Sequence, residues 1–179
     1  MGRYKKVIAV FPGAFDPITY GHLDIIERGR KFFDHLIVAV GQNPAKEEIF
    51  TQDERVEMIK PLMGGFRNVS VEAYVGLTYD FVKRKEANVI LRGIRDMVDL
   101  RGELHQANTN LLVGNVETLF MLTSHDHALT SSTLIKEIVS LGGFSSWRKA
   151  NLVPPAVAAA LKRKLGAKVR SARDGAAHP

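Results

Sequence analysis

Cysteine is missing from the 179-residue sequence. Its absence excludes disulfide bonds, a thiolate nucleophile and zinc sites built on cysteine. Long hydrophobic runs are missing as well, because no segment approaches the roughly 18 apolar residues of a membrane-spanning helix. The apolar run near the start meets Pro12 after about six residues, which makes a poor signal peptide. We therefore expect a folded, cytoplasmic protein that has no membrane partner.

Basic residues are in excess, but they are unevenly distributed along the chain. The formal net charge of +6 would suit a nucleic-acid-binding protein. Residues 162–179 contain six basic residues and one acidic residue, so residues 1–161 carry only +1. The charge belongs to the C-terminal end and not to a groove in the body of the protein. We expect no nucleic-acid partner.

Five apolar segments alternate with helical patterns along the chain. The predicted strands are Lys6–Val10, His35–Val40, Val69–Ala73, Asn88–Arg92 and Glu117–Leu122. Helices are predicted to begin near His22, after the capping box Thr51–Glu54, at Tyr79, near Asp99, at Ser131 and at Pro154, and the last is predicted to end near Leu165. Glycine pairs, Gly64-Gly65 and Gly142-Gly143, are predicted to stop two of them.

This alternation is typical of parallel α/β folds. The sequence therefore predicts a Rossmann-like, doubly wound, five-stranded parallel sheet with helices on both faces. We expect a single domain over residues 1–166. Residues 167–179 lack apolar periodicity and are predicted to form a basic, disordered tail.

Ligands of such sheets bind beyond the carboxyl ends of the strands. The segments that follow the predicted strands contain basic and hydroxyl side chains: His22, Lys46, Arg92, Arg95 and the cluster 130–133. Carboxylates are scarce directly after the strands. Arginine, lysine and helix N-termini all favour phosphate. The usual phosphate loops, G-x-x-x-x-G-K-[ST] and G-x-G-x-x-G after the first strand, are absent. The sequence predicts a phosphate site of another kind.

The segment 11–22, FPGAFDPITYGH, delivers His22 to the start of a predicted helix. At that place an imidazole could donate a hydrogen bond to a phosphate as charge builds in a transition state. The alternative is a capping or buried structural histidine. For the hydroxyls of 131–133 the alternative is N-capping, which is compatible with phosphate binding.

Five motifs in order carry a family resemblance. Thr19-Tyr20-Gly21-His22 resembles the [HT]-x-G-H signature of the nucleotidylyltransferase superfamily, and Thr130–Thr133 resembles its second, hydroxyl-rich signature. Together with Pro12–Pro17, Pro44–Lys46 and Leu91–Arg95, they resemble bacterial phosphopantetheine adenylyltransferases over about residues 6–165. The resemblance implies transfer of the adenylyl group of ATP to 4′-phosphopantetheine, which gives dephospho-coenzyme A and pyrophosphate. It also implies a homohexamer. Because no cluster of metal-ligating residues is visible in the sequence, we expect Mg²⁺ to arrive with ATP and to be held largely by its phosphates, with no metal site of the protein's own.

The resemblance implies three sets of site residues. The catalytic set is His22, Lys46 and Arg95. The ATP-binding set is Ala14, Phe15, His22, Gly93, Ile94, Arg95, Glu103, His127, Ala128, Leu129, Thr130, Ser131, Ser132 and Thr133. The phosphopantetheine-binding set is Ala14, Lys46, Leu77, Thr78 and Arg92.

The chain departs from the family pattern at several places, of which two concern predicted site residues directly. Ala14 stands where Thr or Ser is usual, which leaves backbone N–H groups to bind phosphate there. The run Asp99–Glu103 replaces a more aromatic and acidic one. Two other functions remain open: a related transferase acting on another acceptor, such as nicotinamide mononucleotide, and a nucleotide-binding module without catalysis.

Overall fold

The computed structural model describes residues 6–42, 47–141 and 151–175. Five parallel strands form one sheet in the order β3-β2-β1-β4-β5. Their bounds are Ile8–Gly13 (β1), His35–Val40 (β2), Val69–Ala73 (β3), Val89–Ile94 (β4) and Glu117–Leu122 (β5). The predicted fold class, a doubly wound parallel α/β sheet, is confirmed.

Two strands run further toward their carboxyl ends than predicted. β1 continues to Gly13, because Pro12 and Gly13 pair with Ala39 and Val40 of β2. β4 continues to Ile94, which pairs with Leu122 of β5. The consequence is that the Pro12-Gly13 and Arg92-Gly93 motifs belong to the strand ends themselves, which the sheet holds in place.

Within the described ranges, six helices flank the sheet, together with three short 3₁₀ turns. The helices are Tyr20–Gly29 (α1), Gln52–Ile59 (α2), Thr78–Arg84 (α3), Met97–Gly114 (α4), Ser132–Ser140 (α5) and Pro155–Gly175 (α6). α6 runs ten residues past its predicted end near Leu165, and the alanines and basic residues of this stretch favour a helix by their intrinsic propensity. The division at residues 166 and 167 stays a prediction, and the stop at Gly142-Gly143 lies outside the described residues.

The two faces of the sheet carry separate apolar clusters. Ala9 and Phe11 of β1 join the larger cluster, which α1, α2, α5 and α6 cover. Val10, which points the opposite way, joins the smaller cluster with Phe81 and Val82 of α3. Alternation along a strand that is buried on both faces explains why it reads as a continuous apolar run.

The chain changes direction between β1 and β4. It builds β1, β2 and β3 toward one edge, then crosses to β4 and β5 on the other side. This switch point leaves a crevice at the carboxyl ends of β1 and β4. Among the described residues, no helix is long and apolar enough to cross a membrane.

Candidate active site

A cavity of about 610 Å³ lies at the switch point, between the N-termini of α1 and α5. The predicted site residues that line it are Ala14, Phe15, His22, Arg92, Gly93, Arg95, Glu103, Thr130, Ser131, Ser132 and Thr133. A second cavity of about 290 Å³ contains the predicted Leu77 and Thr78 and shares Ala14, Arg92 and Glu103 with the first. The two cavities are therefore neighbours, with Arg92 and Glu103 in their common wall.

His22 occupies the third position of α1 and completes a capping box with Thr19. Thr19 Oγ1 accepts from the backbone N–H of His22 at 3.4 Å, and the Thr19 backbone N–H donates to His22 Nδ1 at 3.1 Å. Because Nδ1 is an acceptor, the proton of the neutral imidazole sits on Nε2. The capping alternative is thus present, and it fixes the tautomer that leaves Nε2–H as a donor.

The environment of His22 favours its neutral form. Burial, with a smaller contribution from the positive charges of Arg95 and Arg92, lowers the pKa of His22 to about 4. Phe15 packs edge-on against the imidazole, with 5.1 Å between ring centroids. At neutral pH His22 is therefore a hydrogen-bond donor in the cavity wall and not a cation.

The two arginines of the β4 end are each held by one carboxylate of α4. Arg92 Nε and Nη2 donate to the two oxygens of Glu103, each at 2.5 Å, and Nη1 donates to the Pro12 carbonyl. Arg95 Nε and Nη2 donate to the two oxygens of Asp99, at 2.6 and 2.7 Å, which raises the pKa of Arg95. A substrate phosphate would have to exchange with these carboxylates.

The expected scarcity of carboxylates at this edge is wrong. Asp16, Glu47, Glu48, Asp99 and Glu103 all line the main cavity. Glu103 was predicted only as an ATP contact, and the pairing of Asp99 and Glu103 with the arginines was not predicted, because both acids lie on a helix, one turn apart, and not directly after a strand. In the described part of the cavity wall, positively charged side chains are therefore paired with carboxylates.

The start of α5 supplies hydroxyls and backbone donors. Ser131 caps the helix by accepting from the Leu134 N–H at 3.0 Å, and Ser132 Oγ donates to the Pro17 carbonyl at 2.8 Å. These two hydroxyls therefore already have structural partners. The N–H groups of Ser132 and Thr133 have no acceptor among the described residues and carry the partial positive charge of the helix start, so they remain available for an anion.

Four predicted ATP-binding residues do not line either cavity: Ile94, His127, Ala128 and Leu129. His127 instead stacks on Tyr20, with 6.0 Å between ring centroids, and Leu129 is 87% exposed.

Gly93 lines the main cavity, and its missing side chain lets Ile25 of α1 approach, because a Cβ there would lie 2.9 Å from Ile25 Cγ1. Lys46, predicted for both catalysis and substrate binding, lies outside the described residues.

Three charged residues near the cavity had no predicted role. The buried Asp16 accepts from the N–H groups of Ile49 and Phe50, at 2.9 and 3.0 Å, and from Lys136 Nζ at 2.5 Å. Arg55 is fully buried beneath the loop that follows β1. A sequence signal existed for Arg55, since it precedes Val56 and lies one turn before Ile59 on the apolar face of α2.

Metal ligation by the protein itself finds no support in the described ranges 6–42, 47–141 and 151–175. No group of three or more His, Asp or Glu side chains is arranged there to hold a metal ion. Asp16, Asp99 and Glu103 are each engaged by a lysine or an arginine. A metal ion in this cavity would therefore depend on the oxygens of its ligands.

Comparison with known proteins agrees with the resemblance drawn from the motifs. Residues 10–138 match a family model described as cytidylyltransferase-like. A phosphopantetheine adenylyltransferase of Geotalea daltonii is 46% identical over 158 residues, which cover 88% of this chain and 96% of that protein. Another, of Heliobacterium modesticaldum, is 46% identical over 164 residues, which cover 91% of this chain and 95% of that protein.

The fold also has a counterpart among solved structures. A Vibrio parahaemolyticus protein, provisionally named a nicotinate-nucleotide adenylyltransferase, aligns with a TM-score of 0.60 over 88% of this chain and 92% of that one. At 16% identity this likeness concerns the fold alone. The sequence relatives decide the family: the chain belongs to the cytidylyltransferase-like proteins and, among them, to the phosphopantetheine adenylyltransferases.

Proposed function

We propose that this protein transfers the adenylyl group of ATP to 4′-phosphopantetheine and releases pyrophosphate. One observation carries the proposal beyond family membership. A neutral histidine with its Nε2–H available lines the same cavity as two arginines and a helix N-terminus. Such a wall suits a reaction in which negative charge builds on one phosphate between two others.

The proposed reaction is a single in-line displacement. An oxygen of the 4′-phosphate attacks the α-phosphorus of ATP, the bond from that phosphorus to the bridging oxygen breaks, and pyrophosphate leaves. His22 Nε2–H donates to a non-bridging oxygen of the α-phosphate, where charge increases in the transition state. The protein supplies position and electrostatic stabilisation, and no covalent intermediate with the protein is formed.

The common wall of the two cavities suggests how the substrates share the site. Arg92 faces both cavities, so it is placed to bind the phosphate of an acceptor whose arm occupies the smaller one, beside Leu77 and Thr78. Arg95 and the first turn of α5 face only the larger cavity, which leaves them for the phosphates of ATP. Glu103, once released from Arg92, would be free to contact the nucleotide.

Lys46 is proposed to contact the attacking and the transferred phosphates. The support is the Pro44-Ala45-Lys46 motif and its position after β2, whose carboxyl end lies beside that of β1. Lysine, as a mobile point charge, suits a phosphate that moves during the reaction.

Mg²⁺ is proposed to enter with ATP and to be held by its phosphate oxygens. The carboxylates Asp16, Asp99 and Glu103 are engaged by cations of the protein, so they offer the ion few free ligands. Mg²⁺ keeps several waters and binds readily to substrate phosphates. When bound it would neutralise part of the charge on ATP.

Self-association is proposed, with a hexamer as the family resemblance implies. Several large apolar side chains are exposed on α4 and on the edge strand β5: Met97, Val98, Leu104, Leu111, Leu112, Val113, Leu119 and Leu122. Extensive exposed apolar surface often marks protein–protein contacts. We also propose that the protein acts in the cytoplasm, with its two substrates and other copies of itself as its partners.

An acceptor panel tests the proposed function. The purified protein is incubated with ATP, Mg²⁺ and either 4′-phosphopantetheine or nicotinamide mononucleotide, and pyrophosphate release is followed. We expect pyrophosphate release with 4′-phosphopantetheine as the acceptor and none with nicotinamide mononucleotide. Release with nicotinamide mononucleotide alone would identify a different transferase, and ATP binding without release for any acceptor would identify a nucleotide-binding module.

A further inference from the structure

Arg55 is a charged side chain with no exposure to solvent, and it reaches from α2 to the loop after β1. Its Nη1 donates to the carbonyl oxygens of Ala14, at 2.7 Å, and Gly41, at 2.9 Å. Nη2 pairs with Glu48 at 2.7 Å, and Nε donates to the Thr51 carbonyl at 3.3 Å. Burying a guanidinium is costly unless its donors are satisfied, and here all three nitrogens have acceptors.

The contact with Ala14 fixes the orientation of one peptide group. The Ala14–Phe15 peptide is trans, because Asp16-Pro17 is the one cis peptide bond among the described residues. In a planar trans peptide the carbonyl and the following N–H point in opposite directions. Holding the Ala14 carbonyl toward Arg55 therefore turns the Phe15 N–H away from α2.

The conformation of Phe15 shows that this loop is constrained. Its φ is +49°, in the left-handed region that an aromatic residue rarely adopts. Its ring is buried between Phe11 and His22, with centroid separations of 5.4 and 5.1 Å. The backbone is thus held from one side by Arg55 and from the other by the packing of Phe15 against His22 of α1.

The Phe15 N–H that this constraint orients, and the neighbouring Ala14 N–H, have no acceptor among the described residues. Ala14 and Phe15 both line the main cavity, and neither backbone N–H donates to a described group. Successive N–H groups around a left-handed residue form a concave anion site. Ala14, which has no hydroxyl, leaves phosphate binding at this place to the backbone.

We infer that Arg55 is a positioning residue for substrate phosphate. By holding the Ala14 carbonyl on the α2 side, it presents the Phe15 N–H, next to that of Ala14, to a phosphate in the main cavity. The inference rests on the proposed function, because it takes the ligand of this cavity to be a phosphate ester. Arg55 itself touches no substrate.

The test separates phosphate binding from general stability. Arg55→Met removes all donors at nearly constant length, and Arg55→Lys restores one donor within reach of a carbonyl. Arg30→Lys is the matched control, because Arg30 stacks on Phe66 at 4.2 Å and lines neither cavity. Dissociation constants for inorganic pyrophosphate and for adenosine are measured by calorimetry, well below each variant's melting temperature.

Arg55→Met is expected to weaken pyrophosphate binding at least about tenfold, as for the loss of a hydrogen bond to a charged group, while adenosine binding stays within twofold. Arg55→Lys should recover part of the loss, and Arg30→Lys should match wild type. Equal weakening of both ligands, or unchanged pyrophosphate binding, overturns the inference.

If the Arg55 variants do not fold, an NMR titration of the wild-type protein tests the inference. In TROSY spectra of deuterated protein, the Ala14 and Phe15 amide protons should shift downfield when pyrophosphate binds, and unchanged resonances overturn the inference. The proposed function is judged separately, by formation of dephospho-coenzyme A in wild type. If that product is absent while pyrophosphate binding depends on Arg55, the proposed acceptor is wrong and the positioning role stands.

Discussion

Two substitutions at His22 separate its capping role from its proposed role in the transition state. His22→Asn places an amide oxygen where Nδ1 lies, so it keeps an acceptor for the Thr19 N–H, which donates at 3.1 Å. It places nothing at Nε2. His22→Gln does the reverse, because its longer side chain brings an N–H donor to the position of Nε2.

The expected magnitudes follow from these geometries. Loss of one preorganised donor to a developing oxyanion costs about 2.7–4 kcal/mol, so kcat of His22→Asn should fall by about 10²–10³. ATP affinity should change by less than about threefold, since the donor acts mainly in the transition state. A lost N-cap costs about 1 kcal/mol, and because Asn keeps the acceptor, the free energy of unfolding should change by less than that.

The assay is single-turnover formation of dephospho-coenzyme A by rapid quench, combined with calorimetric ATP binding and urea unfolding. We expect turnover in the order wild type, His22→Gln, His22→Asn. The reasoning is refuted if His22→Asn keeps turnover within about threefold of wild type, or if ATP binding weakens by the same factor as turnover.

Three further predictions concern pH, ion-pair exchange and assembly. The pKa of His22 is about 4 in the folded state and about 6.5 in the unfolded state, so the unfolded state binds more protons between these pH values. The free energy of unfolding should therefore fall as the pH drops from about 6.5 to about 4. In urea titrations His22→Asn should flatten this pH dependence, and an unchanged pH dependence would show that another group is responsible. Glu103→Gln removes the carboxylate that competes for Arg92, so inorganic phosphate should bind about threefold more tightly by calorimetry, as for the loss of a partly exposed ion pair; weaker binding would contradict the proposed exchange. Leu112→Glu changes a side chain that is 87% exposed on α4 and should lower the mass of the assembly in light scattering. The control Phe32→Glu, at a side chain that is 73% exposed away from α4, should leave that mass unchanged. Equal masses for wild type and Leu112→Glu would exclude α4 from the interface between copies.

The sequence predicts the parts of the fold that rest on local patterns. Three strands have the predicted bounds, because apolar runs flanked by turn residues define β2, β3 and β5 without help from their neighbours. The capping box at Thr51–Glu54 is present as predicted. His22 could be placed because a turn-rich segment between a strand and a helix fixes where the helix begins.

Other features depend on contacts between distant segments and could not be predicted from local patterns. The pairing of Arg92 with Glu103 requires α4 to fold back along β4, which no local pattern specifies. The position of Arg55 on the apolar face of α2 indicates burial, but its acceptors, the carbonyls of Ala14 and Gly41, follow two different strands and could not be predicted. The length of α6 is a different case: the prediction used apolar periodicity alone, whereas intrinsic helix propensity, which is also a local signal, favours the continuation to Gly175.

Product identification by mass spectrometry tests the central claim most directly. The wild-type protein is incubated with ATP, Mg²⁺ and 4′-phosphopantetheine, with nicotinamide mononucleotide as the competing acceptor in the same mixture. The account predicts dephospho-coenzyme A in a one-to-one ratio with pyrophosphate and no dinucleotide product. Absence of dephospho-coenzyme A, or its replacement by the product of the competing acceptor, would contradict the account.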